Sequence, residues 1–173
     1  MDIFNNKYVV LDLETSGLNK NYDYIIEVGA VKIENGEISE RFSTLVNTTQ
    51  MRELPKEIEV LTGIKFADLQ SAPSIDSVLR ELYGFMKGCT LVVHNLPFDY
   101  AFLQNWGFWC GVHFDEFSDG IDTVKLAQEK LGDKVLNFKL PTLTNYFNIE
   151  FTNHRALHDA ETTAKIFLEL IQL

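Results

Sequence analysis

An apolar run interrupted by two carboxylates constrains this chain most strongly. Residues 8–17 read Tyr-Val-Val-Leu-Asp-Leu-Glu-Thr-Ser-Gly, a pattern typical of a buried strand that ends at turn-forming residues. Because side chains two positions apart on a strand point to the same face, Asp12 and Glu14 are expected to lie side by side. Burying carboxylates without a partner is costly, so the pattern predicts a bound cation, with Mg²⁺ and Mn²⁺ as suitable ions. The alternative is that both acids lie at a solvated strand end.

The rest of the chain predicts strands alternating with helices in one domain, residues 1–173. Two more strands are expected at 25–33 and 38–46, joined by the hairpin dipeptide Asn35-Gly36, so the first three strands are antiparallel. Residues 47–73 contain one or two short helices. Further strands are expected at 90–94 and 120–123. Longer helices are expected at 74–87, after Pro97, and at 123–131, 140–147 and 158–171.

Two of these helices begin their apolar face with an acid. Asp99 shares a face with apolar residues at helical spacing, and so does Asp159 on the last helix. Each acid alone is also explained as a cap or a partner of the helix dipole. His154 precedes Asp159 by five residues, about 140° around an ideal helix, so the pair can act together only if His154 lies on the preceding loop. His94 and His158 are equally available on chemical grounds.

Four carboxylates therefore occupy positions where carboxylates are unfavourable: Asp12, Glu14, Asp99 and Asp159. Like charges brought this close repel each other unless cations bind between them. Two divalent ions about 3.5–4 Å apart would account for all four acids, and such a pair catalyses in-line displacement at phosphorus. Asp122 is also an acid after a strand, and we interpret it as the cap of helix 123–131.

Composition limits the function less than the motifs do. The net charge of −10 argues against a basic nucleic-acid-binding surface, although bound cations can still bring a polyanion to an acidic site. Two cysteines, Cys89 and Cys110, fit reduced thiols better than a disulfide scaffold. The chain shows neither a signal-peptide pattern nor an apolar run that could span a bilayer, so we expect a cytoplasmic protein with no membrane partner.

Three separated motifs give the chain a resemblance to a known family. Residues 12–17 (Asp-Leu-Glu-Thr-Ser-Gly), 94–99 (His-Asn-Leu-Pro-Phe-Asp) and 154–160 (His-Arg-Ala-Leu-His-Asp-Ala) occur in that order. They resemble the motifs of the DEDDh (DnaQ-like) 3′→5′ exonucleases, a family that includes the proofreading subunit of bacterial DNA polymerase III. Residues 61–64 and 122–123 are similar to further family signatures, and the resemblance covers roughly residues 7 to 171.

The resemblance implies a ribonuclease-H-like α/β fold: a mixed five-stranded sheet, its first three strands antiparallel, with helices on both faces. It implies that the four acids bind two Mg²⁺ or Mn²⁺ ions and that His154 is the general base. It also implies the His subtype, because position 155, where the Tyr subtype has its tyrosine, is an arginine. The residues that it suggests for contact with the terminal nucleotide are Thr15, Leu18, His94 and Phe98.

The expected activity is metal-dependent 3′→5′ hydrolysis of single-stranded or frayed DNA, with release of nucleoside 5′-monophosphates. The alternatives are an exoribonuclease of the oligoribonuclease or tRNA-trimming kind, and a non-catalytic binding module that kept the fold. A DNA polymerase subunit is a possible partner. The chain ends directly after the last expected helix, so the sequence fits a stand-alone enzyme, a truncated form or a domain of a polymerase.

Overall fold

The computed structural model describes residues 6–152 and 154–173. Its strands are β1 (Tyr8–Thr15), β2 (Ile25–Glu34), β3 (Glu37–Leu45), β4 (Thr90–Val93) and β5 (Ile121–Asp122). Its α-helices are α1 (Lys56–Thr62), α2 (Phe66–Gln70), α3 (Ile75–Met86), α4 (Leu96–Cys110), α5 (Thr123–Leu131), α6 (Leu140–Phe147) and α7 (Ala156–Leu170). Across the described ranges, none of the helices has the length and apolar character needed to cross a membrane.

The strands form one sheet in the order β3-β2-β1-β4-β5. β1 pairs antiparallel with β2, and β2 pairs antiparallel with β3. β4 lies parallel to β1 on its other side, and β5 lies parallel to β4. Asn35 and Gly36 both have positive φ, as a tight turn between strands with a right-handed twist requires. The predicted mixed sheet, with three antiparallel strands first, is confirmed.

Helices cover both faces of the sheet because the residues of β1 alternate between two cores. Val9, Leu11 and Leu13 pack in a core with residues of α3 and α4. Tyr8 and Val10 point the opposite way, into a core with residues of α5, α6 and α7. The same alternation places Asp12 and Glu14 on the α7 side of the sheet.

The predicted helix limits agree closely with the structure except at the starts of α4 and α7. The helix expected after Pro97 begins at Leu96, so Pro97 lies in its first turn, where its missing N–H costs no hydrogen bond. Ser74 caps α3, and Asp122 caps α5 by accepting a hydrogen bond from the Val124 amide at 2.9 Å. The last helix was predicted to begin at residue 158, whereas it begins at Ala156. Its first amide is satisfied by the side chain of Glu27 on β2, so the signal for this start lies far away in the sequence.

Gly29 on β2 lets the first turn of α7 lie directly against the sheet. A Cβ at this position would overlap the backbone of Ala156 and Leu157. Gly29 also pairs with Asp12 across the β1–β2 ladder, so the close contact lies beside the acidic strand. Because Gly29 has no side chain, the start of α7 can pack against the sheet beside Asp12 and Glu14.

We expect Gly29→Ala to lower the free energy of unfolding by about 2 kcal/mol, because backbone on both sides of the contact leaves little room for relaxation. Gly84→Ala in α3 is the matched control, since its Cβ would meet nothing within 4 Å. Replacing a helical glycine there should raise the unfolding free energy by about 0.5–1 kcal/mol. Urea denaturation of both variants checks the pair, and a Gly29→Ala protein as stable as the parent would contradict the contact.

Candidate active site

Asp12 and Glu14 lie on the part of β1 that extends beyond its parallel neighbour. β4 pairs with β1 only as far as Leu11, so both acids stand past the end of β4. Their opposite partners on β2 are Gly29 and Glu27, and directly opposed residues share a face of the sheet. Both acids are half-buried, so the solvated strand end considered from the sequence does not describe their surroundings.

Asp99 reaches the same place from the first turn of α4, which follows β4. Its side chain is only 4% exposed, and its Oδ1 accepts a hydrogen bond from the Leu13 amide at 3.0 Å. Leu13 lies between the two strand acids. Asn95 directly precedes α4 and has a left-handed backbone conformation. Its backbone amide donates a hydrogen bond to Asp122 Oδ1 at 3.2 Å, which helps to orient the helix. Asp99 is therefore fixed against the acidic end of β1.

Asp159 and His154 approach from the start of α7. His154 lies on a bend before the helix with a φ of 68°, a left-handed conformation that costs a non-glycine residue free energy. Its backbone amide donates to Asp159 Oδ2 at 3.1 Å. This loop position is the one that the sequence required for the two residues to act together. One potential ligand atom from each of Glu14, His154 and Asp159 lies within 4.8 Å of the others.

All four carboxyl groups have raised pKa values, chiefly because they are buried, and the charges of neighbouring acids add to the effect. Burial raises the pKa of Glu14 to about 7, helped by the charge of Asp159. Burial also raises the pKa of Asp99 to about 8, against the opposing effect of the Leu13 amide. Burial, followed by the charges of Asp99, Asp159 and Glu14, raises the pKa of Asp12 well above its usual range. The pKa of Asp159 is raised as well, chiefly by burial.

These residues fit a divalent cation. The Oδ1 atom of Asp159 is buried and has no hydrogen-bond partner among the described residues, a costly situation that a metal ion would relieve. Glu14 supplies a carboxylate oxygen at ligand spacing beside it, and an imidazole nitrogen of His154 lies within 4.8 Å of both acids. Carboxylate-rich donor sets suit Mg²⁺ and Mn²⁺.

Thr15 and Leu18, two of the residues expected to contact substrate, follow the acids along the chain: Thr15 ends β1, and Leu18 lies on the loop after it. Thr15 is buried, and its hydroxyl donates to the Gly17 carbonyl at 2.6 Å. Leu18 is 86% exposed, although the loop that carries it is well ordered by hydrogen bonds. Within that loop, Asp23 accepts from the Asn19 amide at 2.7 Å. An apolar side chain held out in water on a fixed loop is available to a ligand.

His94 and Phe98, the other two, lie around the start of α4: His94 follows β4, and Phe98 directly precedes Asp99. The Nδ1 atom of His94 is 2.8 Å from the Thr123 hydroxyl, and burial lowers the pKa of the ring. Because burial disfavours the protonated ring, His94 is poorly suited to take up a proton. Phe98 is half-buried, with its ring centre 5.1 Å from that of Phe102.

Glu27 and Arg155 also shape the site, and the sequence analysis did not identify their role. Glu27 is only 2% exposed, and its carboxylate accepts from Arg155 Nη2 at 2.7 Å and from the Ala156 amide at 3.0 Å. This pair fixes the residue next to His154 and the first amide of α7. The available signal was a lone charged residue in the apolar first half of β2.

Comparison with known proteins gives a consistent result. Residues 9–167 match the family model of the RNase_T exonucleases. Over 170 residues the chain is 38% identical to the PolC-type DNA polymerase III of Thermotoga petrophila. That match covers 98% of this chain but only 12% of the relative, so the chain corresponds to a small part of the whole polymerase.

Solved structures with the same fold include two nucleases. The nuclease domain of 3′hExo, a DEDDh family member bound to rAMP, has a TM-score of 0.82 and 21% identity, over 96% of this chain and 92% of that one. Escherichia coli exonuclease I in complex with a dT13 oligonucleotide has a TM-score of 0.82 and 16% identity, over 96% of this chain and 41% of that one. At these identities the likeness establishes the fold alone.

We expect Glu27→Ala to lower the free energy of unfolding by about 2 kcal/mol, because the Ala156 amide would be left buried without an acceptor. Glu161→Ala, a change on α7 itself, is the matched control. Glu161 pairs with Arg41 at the surface, where an ion pair contributes less than about 1 kcal/mol. Urea denaturation measures both losses, and hydrogen exchange should quicken in the first turn of α7 only for Glu27→Ala. Equal losses in the two variants would contradict the anchoring role.

The raised pKa values also predict how stability depends on pH without metal. Between about pH 4 and pH 8 the folded protein keeps protons on this cluster that the unfolded chain has released, so this contribution to stability falls as pH rises. Asp12→Asn should make the metal-free protein more stable at pH 8 and flatten the dependence. Mn²⁺ should raise the melting temperature of the parent more at pH 8 than at pH 5.

Thermal unfolding in EDTA and in Mn²⁺ across this range measures the effect. Asp76→Asn on α3 serves as the control, because its pairing with Arg80 lowers the pKa of Asp76 and so moves its contribution towards acid pH. A metal-free melting temperature that rises from pH 5 to pH 8, in a manner unaffected by Asp12→Asn, would contradict the prediction.

Proposed function

Because the chain belongs to the RNase_T family of exonucleases, we propose that it removes nucleotides from the 3′ end of single-stranded or frayed DNA. The products are nucleoside 5′-monophosphates. The observation that carries the proposal is the convergence of four carboxyl groups, from β1, α4 and α7, with His154 hydrogen-bonded to one of them. A fold used for binding alone would not need to keep this many repelling acids in one place.

Asp12, Glu14, Asp99 and Asp159 are proposed to hold two divalent ions, Mg²⁺ or Mn²⁺. When bound, such ions neutralise the charge of the phosphate and of the attacking and leaving oxygens. The unpartnered Oδ1 of Asp159 and the raised pKa values of its neighbours support this assignment. The acids are then ionised ligands rather than proton carriers.

His154 is proposed to accept the proton of the attacking water. The water oxygen forms a bond to phosphorus, the bond from phosphorus to the 3′-oxygen of the preceding nucleotide breaks, and the released oxygen takes a proton from solvent. An imidazole suits the first proton transfer because it titrates near neutral pH. The hydrogen bond from its backbone amide to Asp159 keeps His154 beside the acids. His94 is less suitable, because its Nδ1 is engaged with the Thr123 hydroxyl and burial disfavours the protonated ring that a base becomes.

The terminal nucleotide is proposed to lie against Thr15, Leu18, His94 and Phe98. DNA is favoured over RNA because the similar relative is a DNA polymerase. An exoribonuclease stays the second candidate, since a protein of the same fold was solved with bound rAMP. We further propose that residues 1–173 act as one exonuclease domain that works with a polymerase in proofreading or repair. A purely non-catalytic module is disfavoured because all five proposed catalytic side chains are present.

The proposal predicts that 5′-labelled single-stranded DNA is shortened from its 3′ end in Mg²⁺ or Mn²⁺ and stays intact in EDTA. A matched RNA strand identifies the preferred substrate by its relative rate.

Asp12→Asn and Asp159→Asn should reduce the rate at least about a hundredfold while the proteins remain folded, because each removes a ligand charge. His154→Ala should reduce the rate about a hundredfold or more while keeping most of the metal affinity measured by calorimetry.

Asp76→Asn provides a control acid outside the site and should retain full activity. A folded, metal-binding protein that shortens neither strand would overturn the enzymatic proposal in favour of a binding module. Loss of metal binding in His154→Ala would make His154 a metal ligand instead of the base.

A further inference from the structure

A groove lined by aromatic side chains lies between the β1–β2 loop and α4. Tyr22 and Tyr24 come from the loop, and Trp106 and Trp109 come from the second half of α4; the groove has a volume of about 460 Å³. Tyr22 is 79% exposed and Trp109 is 73% exposed. Isolated exposed aromatics need no explanation, but several around one groove indicate a surface that binds something.

The walls of this groove are fixed before any ligand arrives. Asn105 on α4 donates to the Lys20 carbonyl at 2.6 Å, and the Trp106 indole donates to the Asp23 carbonyl at 3.2 Å. The rings of Tyr24 and Trp106 lie 5.3 Å apart. Loop and helix are thus joined by two hydrogen bonds and one ring contact, and Tyr22 and Trp109 remain exposed on this rigid base.

Both walls continue directly into the candidate active site. The loop begins after Thr15, the residue next to Glu14, and carries Leu18. Asp99 lies in the first turn of α4. Trp106 and Trp109 come seven and ten positions after Asp99, which is about 10 and 15 Å along a helix. A stacked strand advances roughly 3.4 Å per nucleotide, so the groove is reached three to four nucleotides from the site.

The groove offers a polyanion an uncharged surface on a protein of net charge −10. Besides the aromatic rings, its lining consists of the amide side chains of Asn21, Gln50 and Asn105. The nearby Asp23 carboxylate is turned to its own loop, where the Asn19 amide donates to it at 2.7 Å. Aromatic faces together with amides suit bases, which stack through their faces and form hydrogen bonds at their edges.

We propose that this groove binds the bases of a single-stranded nucleic acid a few nucleotides upstream of its 3′ end, by stacking on Tyr22 and Trp109. The inference rests on the proposed exonuclease function and extends it from the terminal nucleotide to the strand behind it. It follows that short and long substrates differ in their dependence on these two side chains.

Steady-state kinetics on two substrates tests the proposal. The p-nitrophenyl ester of thymidine 5′-phosphate is too short to reach the groove, and an oligodeoxythymidylate of about ten nucleotides reaches it. The double variant Tyr22→Ala/Trp109→Ala should raise KM for the oligonucleotide roughly tenfold and leave the ester unaffected. Tyr146→Ala is the matched control, because Tyr146 is a 41% exposed aromatic residue on α6 that does not line this groove.

Intrinsic fluorescence provides a readout that needs no turnover, because both tryptophans of the chain lie in the groove. In EDTA the oligonucleotide should quench this fluorescence, and Tyr22→Ala should weaken the binding several-fold while Tyr22→Phe restores it. Hydrolysis of the ester without any length-dependent effect of the double variant would overturn the groove alone. Absence of hydrolysis by the parent protein would overturn the proposed function, and the quenching would still decide the groove. Absence of quenching would overturn nucleic-acid binding in the groove and would favour a protein as its ligand.

Discussion

The contact between the first turn of α7 and β2 is the constraint on which the site depends. Gly29 permits backbone to lie against backbone, and the Glu27 carboxylate holds the Ala156 amide and the Arg155 guanidinium. His154 directly precedes this anchored segment, and Asp159 lies one turn after it. A shift of α7 along the sheet would separate both residues from β1. The positions of the proposed base and of one proposed metal ligand are therefore set by β2, a strand that contributes none of the five proposed catalytic residues.

The acidic cluster lowers the stability of the metal-free folded state, and the same acids are the proposed metal ligands. Burial and mutual repulsion keep protons on Glu14 and Asp99 up to about pH 7 and 8. The surrounding fold holds the acids together regardless, because β1 lies between antiparallel β2 and parallel β4 and helices cover both faces of the sheet. A cation that replaced those protons would bind the folded protein and not the unfolded chain. It would therefore raise the free energy of unfolding and offset the repulsion between the acids. The proposed metal binding would thus be linked to folding through the same four side chains.

The sequence predicts most of the fold because the elements carry local signals. Strand alternation, the Asn35-Gly36 turn, and the caps Ser74 and Asp122 all lie in the structure where their patterns place them. The start of α7 was predicted two residues late because its cap, Glu27, lies on a distant strand. The same distance hid the role of Arg155, which looks like an ordinary loop residue until its partner is known. Local patterns identify the acids, but only the tertiary contacts explain what holds them.

The protein and its proposed nucleic-acid substrate are both negatively charged, so the substrate can be attracted only at a few local sites. A net charge of −10 disfavours long-range attraction of a nucleic acid, so affinity has to arise from short-range contacts. Metal ions at the four acids would supply one such contact at the terminal phosphate. Aromatic stacking in the groove between the β1–β2 loop and α4 would supply another that depends little on charge or salt. An enzyme built this way would hold a free, unstacked 3′ end and reject a paired one, because the bases of a duplex are not available to Tyr22 and Trp109.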